Sequence, residues 1–290
     1  MPTFKLTIEY DGIAYAGWQR QPDQPTIQAA FEAALESITQ TAIPVIAAGR
    51  TDAGVHALGQ VVSFRSDKGL APGDWLRALN ARLPPDIAVR AAEPVGDDFH
   101  ARFAARGKLY EYRILNRPER SALDRARAWH LYGPLDIQAM QEAARALIGR
   151  HDFSSFEGPR SEADDLICDV RRLDVLRESD DVRIEVDADR FLKQMVRAIV
   201  GTLVEVGQGK RLPASLKDIL YAKDRRAAGH RTLGASMTWP TPGSRRASSR
   251  RSCRRSSPLS PVPGWRHTRR RRCGATPARP RWPSRRCSHR

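Results

Sequence analysis

The stretch 47-AAGRTDAGVHALGQVVSF-64 joins two unlike pieces. Its end, from 60 to 64, is a short apolar run that reads as a strand. Its start sets Arg50, Thr51 and Asp52 between small residues, Gly49 and Gly54, with His56 close behind. The plainest backbone reading is a turn: Asp52 in an Asx-turn, Gly54 at positive φ, Arg50 in a surface ion pair. A second reading gives the same turn chemistry. It holds a carboxylate on a rigid loop beside a strand, and a neighbouring Arg50 keeps Asp52 ionised by lowering its pKa. Ala53 and Gly54 let a flat substrate approach, and an ionised Asp so placed serves as nucleophile or general base. Spacing alone leaves both readings open.

Working outward, residues 3–10 alternate, with Phe4, Leu6, Ile8 and Tyr10 on one face, which predicts a half-buried strand. Ile27, Ala30, Phe31, Ala34, Leu35 and Ile38 sit at helical spacing behind Thr26 as N-cap. Short apolar runs follow at 44–48 and 60–64, then a helix over 74–83 capped by Asp74, then a strand over 87–92. The order is β-α-β-β-α-β, the split βαβ pattern of ferredoxin-like domains. The second half restarts it with a strand at 108–115, a helix at 137–148 (Asp136 as cap, Gly149 past the end), strands at 169–176 and 182–187, and helices at 190–206 and 214–222. Its closing strand has no clear counterpart. The expected fold is α+β: two ferredoxin-like halves, 1–105 and 106–240, sharing a mainly antiparallel sheet with helices packed on it.

Charge first points elsewhere. The 290 residues carry a formal net charge of +16. Residues 241–290 hold 16 Arg and no Lys, Asp or Glu, leaving 33 basic against 33 acidic residues in 1–240. The body is formally neutral, so any basic patch in it has to come from uneven placement. The tail is rich in Arg, Ser and Pro and lacks Ile, Phe, Tyr and Met, a composition that predicts disorder. It reads either as an arginine-rich RNA-binding arm or as translation in a shifted frame of a GC-rich gene. The absence of Lys and acids favours the second. Cys168 is the only cysteine in the body, which excludes a disulfide framework there. The histidines at 56, 100, 130 and 151 lack ligand spacing, so no metal site is expected. No apolar run is long enough for a membrane helix and no secretory signal is visible, so a soluble cytoplasmic protein is expected.

The dense motif 49-GRTDAGVHALGQV-61 resembles the signature of the tRNA pseudouridine synthase A family, G-R-T-D-x-G-V-H-A-x-G-Q-V. Three further regions agree: 10-YDGIAYAGWQRQPDQPTIQ-28, 99-FHARFAARGKLYEYRI-114, and 149-GRHDFSSF-156 with 191-FLKQMVRAIVGTLVEVG-207. The similarity covers residues 3 to about 228. It implies a cofactor-free isomerase that detaches uracil from C1′ of a uridine in tRNA, turns it and rejoins it through C5, at positions 38–40 of the anticodon stem-loop. It also implies a homodimer. Asp52 matches the catalytic aspartate, Arg50 stands beside it in the catalytic motif, and Arg197 matches its basic partner. Tyr110 matches the aromatic that stacks on the target base; Arg102 and Arg106 are expected at phosphates and His56 on the substrate side. The chemistry is coherent, because a stacked base has to be flipped out before it can react and a flipped base needs an aromatic platform.

The chain departs from the family at its end. A closing strand close to G-L-x-L-x-x-V-x-Y is expected, whereas residues from Gly229 read GHRTLGASMTWPTPGSRR. Leu233, Ala235, Met237 and Trp239 alternate, so a substitute strand is expected to be poor; if it failed, the sheet would gain an unpaired edge. That departure sustains a competing reading, an RNA-binding protein of the same fold with little catalysis. A simple nucleotide-binding ferredoxin-like module is a third, and it leaves GRTDAGVH unexplained.

Overall fold

The computed structural model describes residues 1–159, 165–230 and 232, and the backbone of 237–239. The tail at 241–290, Leu233 and Ala235 lie outside the described residues. Alternation sets the first element: β1 (Thr3–Tyr10) buries Phe4, Leu6, Ile8 and Tyr10 on one face. Helix α1 (Ile27–Thr39) starts at Thr26, whose hydroxyl accepts a hydrogen bond from Ala29 N, and turns Ile27, Phe31, Ala34 and Leu35 into the core. Strand β2 is short (Ile46–Ala47), and β3 runs over His56–Arg65. The second half of the opening motif is therefore strand, not loop. Helix α2 (Pro72–Asn80) begins before the expected Asp74 cap, because Pro72 occupies the first turn with its φ already helical; Asp74 pairs with Arg77 instead. Strand β4 (Ile87–Val95) closes the first half.

The second half contains β5 (Lys108–Asn116), β6 (Trp129–Leu131), α3 (Ile137–Arg145), β7 (Gly149–Asp152), β8 (Ile167–Glu178) and β9 (Asp181–Ala188). Strands β6 and β7 were not expected; three or four residues are too few to display a period. Asp136 caps α3 through Ala139 N as expected. Helix α4 (Met195–Gly207) starts five residues later than the apolar pattern suggests, because Gln194 takes a left-handed φ of 57° at its entry. Phe191 and Leu192 thus lie on an irregular approach rather than on the helix. Helix α5 spans Ser215–Ala222 and β10 spans Met237–Trp239.

The ten strands among the described residues form one mixed sheet in the order β4-β1-β3-β10-β5-β9-β8-β7, with β2 on the side of β3 and β6 on β5. Strand pairs are antiparallel except β10 with β3 and β5 with β6. The closing segment is thus not an edge. Strand β10 lies in mid-sheet, pairing Thr238 with His56 of β3 and with Glu111 of β5, so its loss would open the seam between the halves. Apolar side chains from strands and helices join one core; Phe4, Phe64 and Trp75 anchor it with ring centroids 5.0–5.6 Å apart. No helix among the described residues is long and apolar enough to cross a membrane.

Candidate active site

The loop bearing Asp52 is fixed by main-chain hydrogen bonds to the N-terminal motif. Trp18 N donates to Thr51 O (2.9 Å), Gly54 N to Tyr15 O (3.3 Å), and Asp52 bridges to Gly17. Close approach requires glycine at 17: its φ is +109°, and a Cβ there would lie 2.6 Å from Thr51 O. From below, Tyr10 Oη is 2.8 Å from Thr51 Oγ1, and Gln60 Nε2 donates to Gly49 O at 2.7 Å. Burial pushes the Tyr10 hydroxyl far above its usual pKa, against the opposing effect of its hydrogen bonds to Thr51 and Gln60, so it stays neutral. The turn is closed by Val55 N donating to Asp52 O (3.2 Å), and Gly54 takes φ 75°. Among the described residues no backbone N–H occupies the Asp52 carboxylate, so the expected Asx-turn is replaced by a main-chain turn.

The group facing that carboxylate is Arg197, not its sequence neighbour. Arg197 Nη2 lies 3.6 Å from Asp52 Oδ2 and donates to Ala53 O at 3.4 Å. The arginine side chain is 13% exposed and the aspartate 38%. Arg197 sits in the first turn of α4, and its own carbonyl accepts from Thr232 N at 3.4 Å. Its Nε is buried without a hydrogen-bond partner among the described residues. Arg50 is exposed on the same cleft and forms no ion pair with a described residue. The charge that the sequence pattern assigned to Arg50 thus comes from a helix far along the chain.

Tyr110 comes from β5 and is 7% exposed. Phe191 meets it edge-on, with centroids 5.0 Å apart and planes at 87°. Burial, then the nearby Tyr10 hydroxyl and Asp52, hold the Tyr110 hydroxyl far above its ordinary pKa, and Arg197 offsets them only in part. The side chain is therefore neutral.

These residues line a cleft of about 690 Å³. Arg50, Arg102, Lys108, Lys193 and Arg197 contribute cations to its wall, and Asp52 is its single acid among the described residues. Burial, then Arg102 and Arg190, pull the Lys108 pKa down, as crowded like charges do. The neutral body has gathered positive charge on one face, which suits a polyanionic ligand. His100 also lines this wall.

Two expected residues lie apart from the cleft wall. His56 is buried, its Nδ1 3.1 Å from Asp11 Oδ1 and 3.3 Å from Gly12 N, while Arg127 holds the other Asp11 oxygen at 2.7 Å. Arg106 is exposed, and its carbonyl accepts from Arg171. The structure therefore brings together Asp52, Arg50, Arg197, Tyr110 and Arg102, and leaves His56 and Arg106 outside that group. The reading of the sequence passed over Lys108, Lys193 and Phe191. Lys108 had a usable signal: it shares the period-2 face of Tyr110 on β5. Among the described residues no group of three or more His, Cys, Asp or Glu is placed to hold a metal ion.

Known proteins resemble this chain along most of its length. A family model described as tRNA pseudouridine synthase matches residues 6–104 and 143–235. A protein named tRNA pseudouridine synthase A from Myxococcus xanthus is 46% identical over 230 residues, 79% of this chain and 87% of its own. One of the same name from Chromobacterium violaceum is 47% identical over 77% of this chain and 86% of its own. Another, from Brevibacillus brevis, is 44% identical over 82% and 98%. Among solved structures, an H/ACA RNP bound to a substrate RNA containing 2′-deoxyuridine overlays loosely, with TM-score 0.31 and 14% identity over 69% of this chain and 53% of that one. The matched segments include the Asp52 loop and the Arg197 helix, and the chain belongs to the tRNA pseudouridine synthase family.

Proposed function

We propose that this enzyme converts uridine to pseudouridine at positions 38–40 in the anticodon stem-loop of tRNAs, with Asp52 as nucleophile on a flipped-out base. The observation that carries the reading is the Asp52–Arg197 pair, 3.6 Å apart in a cationic cleft beside Tyr110. The reaction breaks C1′–N1, forms C1′–C5 and moves one proton from C5 to N1. It balances without oxidant, reductant or water. Asp52 can add to the substrate and leave again, while Arg197 sets a counter-charge 3.6 Å from its carboxylate and the neutral Tyr110 ring supports the freed base. Arg50, Arg102 and Lys193 face the phosphates, Arg106 contacts them further along the strand, and His56 fixes the Asp52 loop from beneath through Asp11 and Gly12.

The same proposal includes a homodimer in the cytoplasm, on the strength of the family resemblance. It also treats the two halves as ferredoxin-like repeats. Strand order β4-β1-β3-β2 in the first half and β10-β5-β9-β8 in the second supports this. The binding-only alternative loses its main support, because β10 fills the seam despite the altered sequence and Asp52, Tyr110 and Arg197 stand outside the altered segment. The test is tritium release: tRNA carrying [5-³H]uridine should lose label to water with the wild type. Retention of label after full binding would favour the binding-only reading.

A further inference from the structure

Phe103 is 78% exposed, and its conformation is nonetheless held. Its ring stacks on His100 with centroids 4.3 Å apart and planes at 28°. The Arg102 guanidinium carbon lies 5.9 Å from the Phe103 centroid. A main-chain turn fixes the group: Phe103 N and Ala104 N both donate to His100 O, at 3.1 and 2.9 Å. Ala101 is buried between them, and its N–H donates to Ser63 Oγ of β3 at 3.3 Å. His100 and Arg102 belong to the cleft wall, so Phe103 stands at its margin beside the cationic surface. His100 Nδ1 is buried with no hydrogen-bond partner among the described residues. A solvent-facing phenyl that is fixed and has an arginine beside it has the chemistry of a base-stacking platform, because a nucleotide offers a π-face to the ring and a phosphate to the guanidinium.

We propose that Phe103, backed by His100, stacks an unpaired nucleobase of the RNA other than the one seated at Tyr110, so that the strand is held at two points. This deepens the reading of the chain as a tRNA-modifying enzyme and rests on it. Commitment to a base rather than a protein surface follows from charge complementarity: Arg102 against the ring and the cationic cleft wall that includes Lys108 favour a polyanion.

The test is fluorescence of a stem-loop RNA carrying 2-aminopurine in the loop, titrated with the full chain and with Phe103→Tyr, Phe103→Leu and Phe103→Ala. The wild type and Phe103→Tyr should quench the probe equally. Phe103→Leu and Phe103→Ala should lose the quenching and bind roughly 5- to 100-fold more weakly, with an unchanged salt slope because no charge is removed. Wild-type binding matched by Phe103→Leu and Phe103→Ala would overturn the platform while leaving the enzymatic reading intact. Failure of the wild type to bind the stem-loop at all would overturn both. A shift of Phe103→Ala to a smaller oligomer on light scattering, with affinity lost in step, would assign the ring to a protein interface and overturn the platform.

Discussion

Arg197 Nη2 lies 3.6 Å from Asp52 Oδ2, joining the first turn of α4 to a loop between β2 and β3 in the other half of the chain. Local sequence cannot make this contact; the shared sheet does. A guanidinium held there by Ala53 O lies against the carboxylate, and in the proposed reaction it faces the charge that develops at the reacting centre.

Arg197→Ala should therefore lower kcat by about 10²- to 10³-fold, in the range seen when one electrostatic stabiliser is removed. Stability should change by no more than about 1 kcal/mol, because Asp52 is 38% exposed and water screens the pair. Arg197→Lys should recover only part of the rate, since a flexible point-charge ammonium is held in place less firmly than the planar guanidinium. Single-turnover rates and thermal melts check both statements.

Gly17→Ala should damage the site from outside it. The added Cβ would meet Thr51 O at 2.6 Å, on a backbone at φ +109°. The expected cost is about 1–3 kcal/mol, together with displacement of the Asp52 loop through the Trp18–Thr51 bond. A fall in kcat larger than the loss of folded protein distinguishes displacement from simple unfolding.

The buried tyrosines predict a weakness at high pH. Tyr10 and Tyr110 have hydroxyl pKa values raised by burial above the ordinary 10.0. The unfolded chain releases these protons first as pH rises past 10, so the stability they supply is present below pH 10 and drains away above it. The slope should approach about 1.4 kcal/mol per pH unit for each tyrosine. Denaturant melts between pH 9 and 11 on the wild type and Tyr10→Phe measure it; the variant should show the shallower decline.

At the C-terminus, truncation after residue 240 should leave activity and tRNA affinity intact. Truncation after residue 236 removes β10 and should open the seam between β3 and β5, lowering Tm and causing aggregation. Melts and light scattering on the two truncations separate the tail from the strand.

Much of the fold was legible where burial imposes a period. Strand β1 and helix α1 follow their apolar faces, and the caps at Thr26 and Asp136 are local hydrogen-bond chemistry. Strands β6 and β7 were not, because such short pieces exist only by pairing with β5 and β8. The place of β10 was illegible for a similar reason: strand order is a long-range property, and nothing in the segment's alternation says that it lies in the seam between β3 and β5. In the site, Asp52 and Tyr110 stood out by motif. Arg197 was named as the partner of Asp52 through the family resemblance alone; spacing gave no sign of it, since Arg197 neighbours only apolar residues along α4. The cationic wall was hidden by a body with no net charge.

The central claim concerns Asp52, and the most direct measurement compares wild type with Asp52→Asn on unmodified tRNA, mapping pseudouridine by chemical labelling. The half-exposed carboxylate supports no buried network, so the amide should leave melting within a few degrees of wild type. The account predicts pseudouridine at positions 38–40 with the wild type and none with an equally folded variant. No product from the wild type, or equal product from Asp52→Asn, would contradict it.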